Sequence, residues 1–350
     1  MTISLIFWII IFIISLYFLI KSSDYFTDAA EKIGIWLGIP AFIVGVTIVS
    51  IGTSLPELAS SIAAVFNPAV GASSIVAGNV IGSNITNILL VLGIASLFVK
   101  KMKISWELIS VDLPLLFGSA AVLIFLIFDD FIFWIISHGL TNLSNVKPQI
   151  TWLESITCII GFMIYVTYTA SNRPSKDHRV KRKKLGWKTP VIIMASIAII
   201  YFSAKYTVES VVHIGTIIGV SQAILAATAI AIGTSLPELM VTITAVRKKK
   251  FELAIGNVLG SNIFNTFMVI GIPGVLSAFS PVSGLAVDTS IWLIALPFML
   301  AATFLYIFMT QDNTLTRYEG LMLLLMYVIF IGILFWSEFS RIAAGTIINL

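Results

Sequence analysis

Residues 51–58 read IGTSLPEL, and residues 232–239 read IGTSLPEL again. Downstream, GNVIGSNI at 78–85 returns as GNVLGSNI at 256–263. Two separate blocks recurring in the same order mark an internal repeat, which has to be read before anything else. The gap between the blocks differs by three residues, a difference that a short turn absorbs.

Both blocks sit inside long apolar stretches. Of the 350 residues, 58% are hydrophobic and 11% charged, and the mean hydropathy is +1.03. A soluble domain carries about 25% charged residues, so this chain is read as an integral membrane protein. Apolar runs of spanning length fall at 4–20, 36–62, 70–98, 107–128, 151–170, 190–207, 215–245, 251–277, 287–309 and 319–336. Spans must close their backbone hydrogen bonds internally, and β-barrel strands would be shorter and alternating, so these ten are helices. The first run carries Lys21 after it and lacks a small-residue cleavage motif, which reads as a first helix and not a cleaved signal.

Charge tests the span list. With the N-terminus outside, 18 of the 21 Lys and Arg fall on one side and only Lys147, Lys205 and Arg341 on the other. Such an excess marks the cytoplasmic face. Both termini are then outside, and the basic loop 172–188 is cytoplasmic. Its tract from His178 to Lys184 reads as a linker near anionic headgroups, with no nucleic-acid partner. The net charge of +4 is a topology signal. The chain divides into a first repeat over 1–171, the linker 172–188 and a second repeat over 189–350, with motif regions at 38–93 and 215–271. Five spans per copy is odd, so the second copy enters with opposite polarity. The fold class is all-α, ten transmembrane helices in two inverted five-helix repeats, the plan of a secondary transporter.

The repeated blocks hold the chemistry. Pro56 and Pro237 lie within spans two and seven, where proline removes an N–H and clashes with the carbonyl four residues earlier. Each span should bend or open there and free carbonyls for a cation. Glu57 and Glu238 are the only two of 17 acidic residues at the centre of a span. A carboxylate at that depth marks an ion route or a protonation site. Thr53 and Thr234 precede them by four residues and Ser54 and Ser235 by three, on the same helix face. Carboxylate, hydroxyl and carbonyl oxygens suit a hard cation; no soft ligand accompanies them. Asn79, Ser83 and Asn87 are spaced by four on span three, as are Asn257, Ser261 and Asn265 on span eight. Ser83, Asn87, Ser261 and Asn265 read as site-lining residues. Asn79 and Asn257 read either as ligands or as braces of the broken turns. Gly78, Gly82, Gly256 and Gly260 read as close helix contacts.

Other polar positions carry less. Asp112, Asp288, Glu154 and Glu319 open spans and read as caps. Asp129 and Asp130 either concentrate cations or solvate a loop. Segment 131–140 is apolar, too short to span alone, and reads as lying at the membrane surface. Cys158, the single cysteine, permits no internal disulfide, and His138, His178 and His213 are too scattered for a ligand set. No nucleophile and base pair or open metal triad points to an enzyme, and no cofactor is implied. A cation channel would not need the inverted copies. The sequence is silent on oligomeric state and compatible with a monomer.

The paired GTSLPE and GNxxGSN segments closely resemble the two alpha repeats of the calcium/cation antiporter superfamily, most of all the prokaryotic sodium/calcium exchangers. The resemblance extends over nearly the whole chain. It implies an antiporter exchanging sodium for calcium, with ions held between spans two, three, seven and eight. By position the implied ligands are Thr53, Ser54, Glu57, Ser83 and Asn87 from the first copy. The second copy supplies Thr234, Ser235, Glu238, Ser261 and Asn265, and the carbonyls of Ser50 and Ala231 join them. It further implies three sodium ions for one calcium, and spans one and six sliding as gates. Position 265 departs from the family, whose members often carry Asp there, which leaves two central carboxylates and speaks against potassium coupling. The alternative is a proton/calcium antiporter on the same scaffold, although that branch more often shows GNxxE in the first block.

Overall fold

The computed structural model describes residues 2–66, 74–104, 112–138, 148–171, 184–217, 233–280, 284–288 and 291–348. The helices are α1 (Thr2–Leu37), α2 (Ala41–Val65), α3 (Ile75–Leu97), α4 (Asp112–His138), α5 (Trp152–Ser171) and α6 (Lys188–Ile217). They continue with α7 (Leu236–Arg247), α8 (Phe251–Phe279), α9 (Ile291–Met309) and α10 (Arg317–Ile348). Among the described residues nine of these are long and apolar enough to cross a membrane. The other, α7, is described over 12 residues only; the rest of the expected span, 218–232, lies outside the described residues.

The first span is longer than expected. Polar residues from Lys21 onward suggested a loop, yet α1 runs to Leu37. Ser22, Ser23 and Thr27 return their hydroxyls to carbonyls one turn back, at 2.6, 2.7 and 2.8 Å, so the polar run stays helical. Gly38, at φ +70°, ends the helix: the amide of Ile39 donates to the carbonyl of Gly34 at 3.0 Å, and glycine meets no steric penalty there. Segment 131–138, expected to lie at the surface, instead continues α4.

Helices α1 and α6 pack along each other at the periphery. Trp8 stacks on His213 at 3.9 Å and Thr207 donates to Ser15 at 2.9 Å. Only 11% of the apolar window of α1 is buried inside the protein, against 78% for α3. Thus α1 is a lipid-facing element and α3 a central one, with α8 beside it: every residue from Leu253 to Phe264 is buried. Glycine permits that depth. A Cβ on Gly256 would stand 2.5 Å from the carbonyl oxygen of Phe42, and one on Gly260 would strike Val46. The α2 and α8 backbones therefore touch, as expected of small residues. No described atom lies within 4 Å of the equivalent point on Gly82; its counterpart neighbours, 227 and 231, lie outside the described residues.

The repeat is written into the loops as well. Strand β1 (Lys101–Lys103) pairs antiparallel with β4 (Thr314–Thr316), and β2 (Gln149–Ile150) with β3 (Leu285–Ala286). Each ribbon joins one repeat to the other, and the inverted relation turns the first ribbon into the second. The openings of α5 and α10 are matched capping boxes. Glu154 accepts from the Thr151 amide and hydroxyl at 2.7 and 2.8 Å; Glu319 accepts from Thr316 at 2.6 and 2.8 Å. Both glutamates thus act as the caps expected of them. Asp288 is exposed, whereas Asp112 is buried. Asp129 and Asp130 hold backbone: Asp130 accepts from the Gln149 amide at 3.0 Å and Asp129 from the Asp130 amide at 2.7 Å. Cys158 is buried in packing.

Candidate ion site between the two repeats

The site is built where α2 and α3 of the first repeat meet α7 and α8 of the second. Proline acts differently in the two copies. Pro56 lies inside an α-helix that continues from Ser50 to Val65. The irregular turn falls earlier, at Gly45–Val49, which is π-helical. The expected opening at Gly52 to Ser54 is therefore not seen. In the second copy Thr234 and Ser235 form a turn and the helix restarts at Leu236, with Pro237 in its first turn. Proline suits that position, because its missing N–H would have no helical partner there.

On α3 and α8 the asparagines stand at matched irregularities. Asn87–Val91 and Asn265–Val269 are both π-helical. A π turn is a one-turn widening that recurs at functional sites. Nothing in the motif announced it; the turns are visible only once the two copies are built.

Hydrogen bonds join Ser50 with Thr53, Ser54 with Glu238 and Ser261, and Ser83 with Thr234. Ser50, Thr53, Ser54, Glu57, Ser83, Asn87, Ser235, Glu238, Ser261 and Asn265 are all buried, and Thr234 is half-buried. Ala231 lies outside the described residues. Ser54 links three helices: its hydroxyl lies 3.0 Å from Oε1 of Glu238 and 3.1 Å from Oγ of Ser261. Ser83 and Thr234 share a hydrogen bond of 3.2 Å across the repeats. Thr53 donates toward Oδ1 of Asn257 and the carbonyl of Ser50, each at 3.2 Å, and lies near the Glu238 carboxylate. Glu57 and Glu238 are near enough for each charge to act on the other.

What these groups lack decides what they can do. Among the described residues, neither carboxylate oxygen of Glu57 has a hydrogen-bond partner, nor has Oε2 of Glu238, Oγ of Ser235, or the amide groups of Asn87 and Asn265. A buried polar atom without a partner costs about 1–3 kcal/mol, and more when charged. The oxygens among these groups are acceptors that a cation would satisfy. Two carboxylates balance one divalent ion, and hydroxyl and amide oxygens complete a hard, flexible ligand shell.

Sequence reasoning missed the supports. Nδ2 of Asn257 donates to Thr242 at 2.9 Å and Nδ2 of Asn79 to Ser61 at 3.3 Å, so both asparagines act as braces. Asn84 donates to Thr266 at 2.9 Å and accepts on its carbonyl from Asn262 at 3.2 Å, which locks α3 to α8. The signal for Thr242 and Ser61 was present: they occupy equivalent positions in the two copies, four residues beyond each glutamate.

Inverted five-helix repeats with a buried, oxygen-lined cation cradle between them define an integral membrane protein of the secondary-transporter class. The model of the sodium/calcium exchanger protein family matches residues 7–170 and 188–336. The chain belongs to that family. The sodium/calcium exchanger MaX1 of Methanosarcina acetivorans is 32% identical, over 93% of this chain and 98% of its own. The putative antiporter CaxA of Alkalimonas amylolytica is 30% identical over 93% and 98%. A solved structure of the sodium-calcium exchanger NCX_Mj is 24% identical and covers 95% of this chain and 100% of that one, with a TM-score of 0.71. The ten-helix plan in two repeats is the fold shared with that structure.

Proposed function

We propose that the protein exchanges sodium ions for calcium ions across a membrane, exposing one site between its repeats to each face in turn. The observation that carries the reading is the pair Glu57 and Glu238, 1% and 0% exposed, with three of four carboxylate oxygens unpartnered among the described residues. The names of MaX1 and NCX_Mj supply the ion pair. The ligands in this reading are the side chains of Thr53, Ser54, Glu57, Ser83, Asn87, Thr234, Ser235, Glu238, Ser261 and Asn265, with the Ser50 and Ala231 carbonyls.

Exchange follows from charge. The empty site holds two carboxylates in a low-dielectric interior, and moving it through the barrier is costly. Calcium or sodium makes the charge tolerable, so loaded forms switch and the empty form does not. The two ions compete for overlapping oxygens, so one leaves as the other binds, and a gradient in one drives the other. A ligand shifts the equilibrium only by its differential affinity for the two states.

In the same reading the protein lies in the cell membrane with both termini outside and 172–188 in the cytoplasm. The repeats divide at 1–171 and 189–350. The test of the driving ion uses calcium-loaded vesicles. A sodium gradient at fixed pH should drive calcium movement, and a pH gradient without sodium should not. The reverse result would assign the protein to proton coupling.

A further inference from the structure

The two copies carry the same side chains but use them differently. By repeat position Thr53 matches Thr234, Ser54 matches Ser235, Glu57 matches Glu238 and Asn79 matches Asn257. Both asparagines are braced alike, Asn257 on Thr242 and Asn79 on Ser61. Beyond the braces the symmetry ends. Thr53 reaches Asn257 at 3.2 Å, whereas Thr234 meets Ser83 and not Asn79. Ser54 donates to Glu238 at 3.0 Å, whereas the side-chain oxygens of Ser235 and Glu57 have no hydrogen-bond partner among the described residues. The Ser54–Glu238 bond thus has an unused counterpart pair in the side chains of Ser235 and Glu57, while the counterpart of Thr53–Asn257 is an Asn79 braced on Ser61 and a Thr234 held by Ser83.

Inverted repeats connect this asymmetry to motion. When two like units face opposite sides of a membrane, the state open to one face becomes the state open to the other if the units trade conformations. Bonds used by one copy then pass to its equivalents. We propose that Asn257 and Asn79 are positioning residues that act in turn: Asn257 holds Thr53 in the conformation seen here, and Asn79 holds Thr234 in the opposite one. The bond of Ser54 to Glu238 passes likewise to Ser235 and Glu57. The braces Thr242 and Ser61 keep each amide oriented in both states, so the waiting asparagine presents its oxygen without rearranging.

The inference rests on the alternating-access reading and is testable apart from it. Losing Asn257 removes its bond to Thr53 from this state alone, the Thr242 brace being common to both states; losing Asn79 removes the bond to Thr234 from the other state alone. In a Cys158→Ala background, single reporter cysteines along α2 and α7 are labelled by an impermeant maleimide from each face. Asn257→Ala should shift the ratio of labelling between faces about two- to tenfold in one direction, the worth of one hydrogen bond. Asn79→Ala should shift it the opposite way, and the double variant should return it near the parent value. Should either asparagine variant fold poorly, Thr242→Val and Ser61→Ala should give the same opposed shifts at smaller size. Shifts in the same direction, or no shift in any variant, would overturn the proposal. Sodium-driven calcium flux of the unaltered chain is measured alongside: its absence removes the exchange reading, while the labelling ratios still decide the trade of bonds.

Discussion

Among the described residues Glu57 has no hydrogen-bond partner at either carboxylate oxygen, while Glu238 keeps one oxygen on Ser54. Glu57→Gln and Glu238→Gln each remove one of two charges that balance calcium, and either should reduce calcium flux in proteoliposomes by about a hundredfold or more. Ser54→Ala keeps both charges but removes a hydroxyl shared by Glu238 and Ser261. It should raise half-saturating calcium about two- to tenfold without abolishing turnover. At this scale the sequence was readable wherever charge or repetition made a residue conspicuous. Glu57 and Glu238 stood out because a mid-span carboxylate needs a reason. Thr242 did not, because its place four residues beyond Glu238, matched by Ser61 beyond Glu57, gains a meaning only when its partner, 15 residues on, is placed beside it.

Helix α8 approaches α2 so closely that Gly260 cannot carry a Cβ without displacing the Val46 backbone. Gly260→Ala should lower the thermal midpoint of the detergent-solubilised protein, at a cost of about 1–3 kcal/mol, and should depress flux with it. A second tie lies at the end of α7. Lys248 pairs with Asp28 at 2.9 Å and Lys250 with Asp28 and Glu31 at 2.8 and 2.9 Å, joining the α7–α8 turn to α1. Burial alone would draw the Lys250 ammonium pKa down; its hydrogen bonds to Asp28 and Glu31 outweigh this and hold it above the usual value. A raised lysine pKa contributes stability that is present at neutral pH and lost as pH climbs through the folded-state value. Lys250→Met should therefore lower the thermal midpoint equally at pH 6.5 and pH 9, and an effect that vanished by pH 9 would exclude this account. The elements themselves were legible from apolar length, except where polar side chains served the backbone. The continuation of α1 past Lys21 depends on Ser22, Ser23 and Thr27 bonding within their own helix, which hydropathy cannot register. The π turns at Asn87 and Asn265 likewise arise from tertiary packing and leave no local pattern.

Across the whole molecule the inverted repeat was legible from IGTSLPEL recurring after an odd number of spans. The two cross-repeat ribbons and the matched capping boxes repeat that relation in the loops. What repetition concealed is that identical sequences are held in different hydrogen-bonded arrangements, since two copies of one pattern say nothing about which is engaged. The orientation is testable in intact cells. An impermeant maleimide should leave Ser175→Cys unlabelled until the membrane is permeabilised, and the unaltered chain should stay unlabelled because Cys158 is buried. Rapid labelling of intact cells at position 175 would invert the topology. The central claim is that Glu57 and Glu238 form one cation site whose occupant is traded for sodium. Its most direct measurement is radioactive calcium uptake into sodium-loaded proteoliposomes diluted into sodium-free buffer, for the parent chain and the two glutamine variants. The account predicts uptake by the parent that collapses when the sodium gradient is removed, and none by Glu57→Gln or Glu238→Gln. Uptake that persists without a sodium gradient, or that survives loss of either carboxylate, would contradict it.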